Sequence, residues 1–193
     1  MSLRPLSRFG ARLLSILLFA GCARDAAAPV EPTTAVPSKP SAALFGLVPV
    51  RGLTRNTPLG QDLSVTAVIG KTGGTITIPE AGLTLVVPPG AVSSDTKFTA
   101  TALAGRLVAY EFEPHGTSFT VSLQFRQDLR KTSLFGALTS PLLDGAYFTD
   151  KDKLFDEAGV ALAKEVLPAT TDLLRSRVTF PINHFSGYLV SWH

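Results

Sequence analysis

The chain has 193 residues, with 18 Lys+Arg against 15 Asp+Glu, a formal charge of +3 and an isoelectric point near 9.2. Arg4, Arg8 and Arg12 supply that whole excess, because no acidic residue precedes Asp25; the chain from residue 22 onward is balanced and excludes a nucleic acid as the expected partner. Cys22 is the single cysteine, which excludes a disulfide framework and leaves folding to a hydrophobic core.

The three arginines are followed by Leu13-Leu14-Ser15-Ile16-Leu17-Leu18-Phe19-Ala20-Gly21. A spanning helix needs roughly 20 apolar residues, so this shorter run reads as the core of a signal peptide over residues 1–21. Phe19-Ala20-Gly21-Cys22 resembles the lipobox of bacterial lipoprotein precursors, with Phe19 where leucine is usual. The resemblance implies cleavage before Cys22, a diacylglycerol on its thiol and an acylated N-terminus of the palmitate kind. Each buried methylene contributes about 0.8 kcal/mol, so two or more acyl chains anchor stably. The expected location is the cell envelope, extracytoplasmic and membrane-bound through Cys22. Ala23 stands where enteric lipoproteins retained at the inner membrane carry Asp, which favours the outer membrane in a two-membrane cell.

Residues 22–60 are assigned to lipid attachment and tether. From Ala23 to Ala43, Ala, Pro, Thr and Ser dominate and no large apolar residue recurs, so the stretch cannot build a core. Pro29, Pro32, Pro37 and Pro40 bias it towards extended polyproline conformations, a semi-rigid spacer of about 3 Å per residue. Leu44 to Gly60 shows no period that assigns it a structure.

The folded domain is placed over residues 61–193, a length that supports one core. Leu63, Val65, Ala67 and Ile69 alternate with smaller or more polar residues, as in a half-buried strand. Lys71-Thr72-Gly73-Gly74 offers glycines for positive φ, Thr75-Ile76-Thr77-Ile78 resumes the alternation, and Pro79-Glu80-Ala81-Gly82 turns into Leu83–Val87. In Pro88-Pro89-Gly90-Ala91, Pro89-Gly90 suits the central pair of a type II turn, because proline presets the first φ and glycine accepts the positive second one. Lys97–Leu103 and Leu107–Glu113 read as strands around Gly105, and Pro114-His115-Gly116-Thr117 turns into Phe119–Phe125.

The order Gly-Gly, strand, Pro-x-x-Gly, strand, Pro-Pro-Gly-Ala, strands, Pro-x-Gly-x-x-Phe is similar to the zonula occludens/Unc-five domain. That resemblance implies an all-β, antiparallel β-sandwich and a role in protein–protein binding, as in scaffolds, receptors and membrane-skeleton adaptors. The partner it implies here is another envelope or extracellular protein, bound without cofactor and without enzymatic chemistry.

Beyond Phe125 the pattern weakens. Gly159 and Pro168 set Ala158–Leu167 against a helix, and Ala146–Thr149 and Arg177–Ile182 have β composition, so strands are expected. In some relatives of the domain, in death-domain signalling proteins and inflammasome sensors, the chain cuts itself at a His-Phe-Ser site. The corresponding residues are His184, Phe185 and Ser186. By that alternative, Ser186 Oγ attacks the Phe185 carbonyl and the resulting ester is hydrolysed, with His184 on the same strand face as base. The relatives take their activating histidine from a neighbouring strand, and no histidine lies between Gly116 and Asn183. The other reading makes Phe185, Tyr188, Val190 and Trp192 packing residues of a last strand.

His115, His184 and His193 lack the spacing of a metal site, and Gly70, Gly73 and Gly74 lack the helix and lysine of a phosphate loop. Tyr110, Tyr147, Tyr188 and Trp192 would be the stacking residues of a glycan-binding module, a third alternative, but they are scattered over separate strands.

Overall fold

The computed structural model describes residues 46–136 and 142–192. The signal peptide, Cys22, the tether up to residue 45 and His193 lie outside them. The described chain forms β1 (Val48–Gly52), β2 (Thr54–Leu59), β3 (Leu63–Ile69), β4 (Gly74–Ile78), β5 (Leu83–Val87), β6 (Thr96–Ala102), β7 (Gly105–Leu107) and β8 (Ala109–Glu113). There follow β9 (Ser118–Asp128), β10 (Leu143–Phe148), β11 (Leu154–Phe155), β12 (Val160–Ala163), β13 (Glu165–Pro168), β14 (Thr170–Asp172), β15 (Arg177–His184) and β16 (Gly187–Trp192). Helix is limited to short 3-10 turns at Leu129–Lys131 and Lys151–Lys153.

The strands build an antiparallel sandwich. One sheet has the order β11-β12-β1-β16-β8-β6-β3, with β10 also on β16 and β13 on β10; the other runs β14-β15-β9-β5-β4. Period-two burial places Leu83, Leu85 and Val87 of β5 and Phe98, Ala100 and Ala102 of β6 inward. Between the sheets, Phe125 stacks on Phe180 at 4.3 Å and meets the edges of Tyr110 at 5.4 Å and Phe112 at 6.3 Å. Each such fully buried side chain contributes about 1.5–3 kcal/mol, so this layer is what holds the two sheets together without a disulfide. On the outer face, Ser64 and Thr66 of β3 bond Thr101 and Thr99 of β6 through their hydroxyls, at 2.8 and 2.9 Å.

The turns follow the chemistry of their residues. The Ala91 N–H donates to the Pro88 carbonyl at 3.2 Å around Pro89-Gly90, with Gly90 at φ 81°. Gly73, at φ 74°, closes the preceding turn by donating to Gly70 at 2.9 Å, and Gly90 ties the two turns together by donating to Lys71 at 2.9 Å. A Cβ on Gly73 would collide with the Val87 carbonyl and approach Pro88 C to 2.8 Å. Gly73→Ala is therefore expected to cost about 2–3 kcal/mol, from left-handed strain plus the clash, read as a lowered urea midpoint; a cost no larger than that of Gly90→Ala, where the Cβ meets open space, would refute it.

The fold begins ahead of residue 61, contrary to the boundary drawn from the sequence. β1 pairs with β12 and β16, β2 pairs with β7, and Leu53 between them is buried in the core. Nothing local signals this, because Val48–Leu59 carries prolines and charges and gains its strand geometry from partners far along the chain. Gly105–Leu107 is likewise a strand of its own, captured by β2.

A second, smaller enclosure stands beside the sandwich. β12 runs through Lys164 into β13; β12 pairs with β1, β1 with β16, β16 with β10 and β10 with β13, so the strands close into a ring. The Lys164 N–H seals it by donating to the Tyr147 carbonyl at 2.7 Å. Ala146, Phe148, Ala161, Ala163 and Leu189 fill it together with Leu103, Leu107 and Ala109. Small side chains are needed where strands close so tightly. β16 is accordingly buried on both faces: Tyr188 and Val190 serve the sandwich, Leu189 the ring.

Candidate functional site

His184, Phe185 and Ser186 lie at the corner where β15 ends and β16 begins. The register of β15 against β9 shifts between Ile182 and His184, and a bend at Ser186 follows. His184 and Ser186 are therefore not joined by regular strand. The His184 ring instead lies edge-on to Tyr147 at 4.7 Å and beside the Tyr188 hydroxyl, which is 3.2 Å from Nδ1 and donates to the His184 carbonyl at 2.8 Å. Ser186 Oγ donates to the Phe148 carbonyl at 3.3 Å.

Phe185 points the opposite way, into the sandwich. Its ring lies 4.7 Å from Phe98, 4.8 Å from Phe119 and 5.6 Å from Phe112. Its backbone is held on both sides: the N–H donates to Thr117 at 2.8 Å and the carbonyl accepts from Gly116 at 3.0 Å. A donor thus sits on the carbonyl that a self-cleaving serine would attack, but the hydroxyl of Ser186 is engaged elsewhere. These are the contacts of a packed strand corner.

An open groove of about 550 Å³ lies over this corner, lined by Gly116, Ser118, Tyr147, Lys164 and Glu165 together with His184, Phe185 and Ser186. Burial, together with Tyr147 and Glu165 nearby, holds the Tyr188 hydroxyl above its usual pKa, so it remains a neutral hydrogen-bond donor. The four aromatics of the glycan alternative divide. Tyr147 and Tyr188 are cross-strand partners with rings 5.8 Å apart, Tyr110 is buried in the core, and Trp192 stands under the Arg51 guanidinium at 5.5 Å. His115 lies in the Pro114–Thr117 turn, and among the described residues no group of His, Cys, Asp or Glu has metal-holding geometry.

Sequence reasoning missed a polar centre at Arg55. This side chain is buried; Nη1 donates to the carbonyls of Leu103 (3.2 Å) and Leu107, and Nη2 to Ala109 (3.2 Å). It fastens the turn around Gly105 from beneath, while Asp156 Oδ1 accepts the N–H groups of Arg106 and Leu107 from the other side, each at 2.7 Å. Arg55 lies 5.5 Å from the Tyr110 ring, and the Tyr110 hydroxyl donates to Gln127 Oε1 at 2.6 Å and to the Ala81 carbonyl at 2.8 Å. Burial lowers the pKa of Arg55 and pushes Tyr110 up to about 12. No motif marks this network, because its members are joined only by the fold.

No curated protein matches the chain. Residues 65–122 match the model of the ZU5 domain, the zonula occludens/Unc-five module, from Val65 in β3 to Ser122 in β9. That stretch holds the Gly73, Gly82, Gly90 and Gly116 turns and contributes strands to both sheets of the sandwich, and over these residues the chain is similar to the ZU5 domain family.

Proposed function

We propose that the chain is a lipid-anchored protein of the cell envelope whose ZU5 sandwich binds another extracytoplasmic protein and carries out no catalysis. The match over residues 65–122 carries this reading, because ZU5 domains are protein-interaction modules. The lipobox-like Phe19-Ala20-Gly21-Cys22 supports the anchor, and Ala23 favours the outer membrane where there are two.

A binding surface is offered by β3, the terminal strand of its sheet. It carries no charge and no proline, the devices that usually blunt an edge, and Val68 on it is 67% exposed. A photo-crosslinking amino acid at position 68, expressed in the native envelope, is expected to give one discrete adduct whose partner also co-purifies with the unmodified protein. Crosslinking to no protein from either position 68 or position 65 would refute a partner on this edge.

The packed geometry at His184–Ser186 sets a second expectation. Intact mass under denaturing conditions should show a single species, Cys22 to His193 plus lipid. A C-terminal peptide beginning at Ser186 would establish self-cleavage instead.

A further inference from the structure

We infer that the open recess of the strand ring, with Trp192 at its rim, is a face that docks onto a lipid bilayer surface, an inference that rests on the lipid-anchored reading above. The recess, of about 380 Å³, opens among β1, β10, β13 and β16 and is lined by Val48, Val50, Asp144, Val166, Ser191 and Trp192, with Arg51 beside them. Val48 and Val166 are each 41% exposed, and Leu142, 71% exposed, adjoins Leu143, the cross-strand partner of Trp192. Single exposed apolar residues are ordinary, but here they share one rim.

The rim chemistry fits the boundary between headgroups and acyl chains. Trp192 combines a large apolar ring with one N–H donor, and Arg51 lies over that ring with its guanidinium exposed. Such a pair sinks the ring into the boundary while the cation meets lipid phosphate. Asp144, the acid of the recess, is half-buried, and Arg51 is exposed.

The chain outside the described residues supplies the occupant. Everything before Gly46 is joined to the fold through Leu47 and Val48, and Val48 is itself a rim residue. A bilayer holding lipid at Cys22 is therefore joined to the fold through a rim residue of this face. Tethering makes the second contact intramolecular, so docking can be weaker than binding from free solution would require.

Trp192 is the only tryptophan, which makes its emission a local reporter. The full chain and its Cys22→Ser variant are mixed with phosphatidylethanolamine/phosphatidylglycerol vesicles carrying brominated acyl chains. Docking predicts a blue shift and loss of about half the emission in the lipidated chain, because an interfacial face enters the bilayer by only about 5–10 Å, and a smaller loss in Cys22→Ser, which lacks the lipid tether. Val48→Asp combined with Val166→Asp should abolish the quenching while the far-ultraviolet spectrum stays unchanged. If that pair unfolds, Val166→Ser alone should weaken quenching at least twofold. Wild-type chain that sediments with vesicles while Trp192 is unquenched overturns the docking and leaves the anchor standing. Quenching that persists in the folded variants overturns it too, as does a lipid-free dimer that buries Trp192. A Cys22 without lipid in the native envelope overturns the anchor alone, whatever Trp192 shows.

Discussion

Phe185→Ala will destabilise the domain by about 3–5 kcal/mol, the range for removing a fully buried aromatic side chain. Phe185 is fully enclosed and touches Phe98 of β6, Phe112 of β8 and Phe119 of β9, rings drawn from both sheets. Neither sheet can collapse into the space without moving the other, so the cavity stays. Edge-on contacts at 4.7 and 4.8 Å each add about 0.5–1.5 kcal/mol beyond burial. Ser186→Ala should cost about 1 kcal/mol or less, because it removes one neutral hydrogen bond of 3.3 Å. Urea unfolding of both variants separates the roles. Near-equal costs would mean that the aromatic cluster does not hold this corner.

Arg55→Met is the second large effect, a loss of about 3 kcal/mol or more. Replacing a whole buried ionic group by apolar residues is often neutral, since desolvation offsets the attraction. Here only one side would be replaced: the carbonyls of Leu103 and Leu107 would lose the guanidinium as donor, while that of Ala109 keeps the Leu103 N–H at 3.1 Å. Each buried acceptor left unsatisfied costs about 1–3 kcal/mol, and that outweighs the relief of desolvating one guanidinium. Tyr110→Phe should cost less, about 1–2 kcal/mol, by leaving Gln127 Oε1 and the Ala81 carbonyl short of a donor. Its pH signature is distinctive. Because the folded pKa is raised from 10.0 to about 12, the contribution of Tyr110 is complete below pH 10 and is lost as pH climbs towards 12. The unfolding free energy of the Tyr110→Phe variant should fall less over that interval than the wild type's; equal slopes would exclude the buried phenol.

Much of the sandwich was legible in the sequence because its signals are local. Proline and glycine at Pro89-Gly90 dictate a turn by their own φ preferences, and Thr75-Ile76-Thr77-Ile78 dictates opposite faces by the strand period. The strands from 65 to 122, β7 excepted, follow from such signals. β1 and β2 do not, because Val48–Leu59 has no alternation of its own and is ordered by β12, β16 and β7. The candidate site was legible as letters only: His184, Phe185 and Ser186 adjoin in the chain, but the register shift after Ile182 and the bend at Ser186 turn the Phe185 ring into the core and leave His184 and Ser186 on one groove with different hydrogen-bond partners.

By itself the sequence determined the all-β class, the turns and the balanced charge after residue 21, since each can be read without knowing which strands meet. Only the tertiary structure decided that Arg55 grips the Gly105 turn, that Phe185 belongs to the core and Ser186 to a backbone carbonyl, and that β1, β16, β10, β13 and β12 close into a ring with Trp192 at its rim. The reason is physical. Turn and period preferences act within a few residues, whereas burial and hydrogen-bond satisfaction are settled by whichever strands meet, and here the meeting strands lie at opposite ends of the domain.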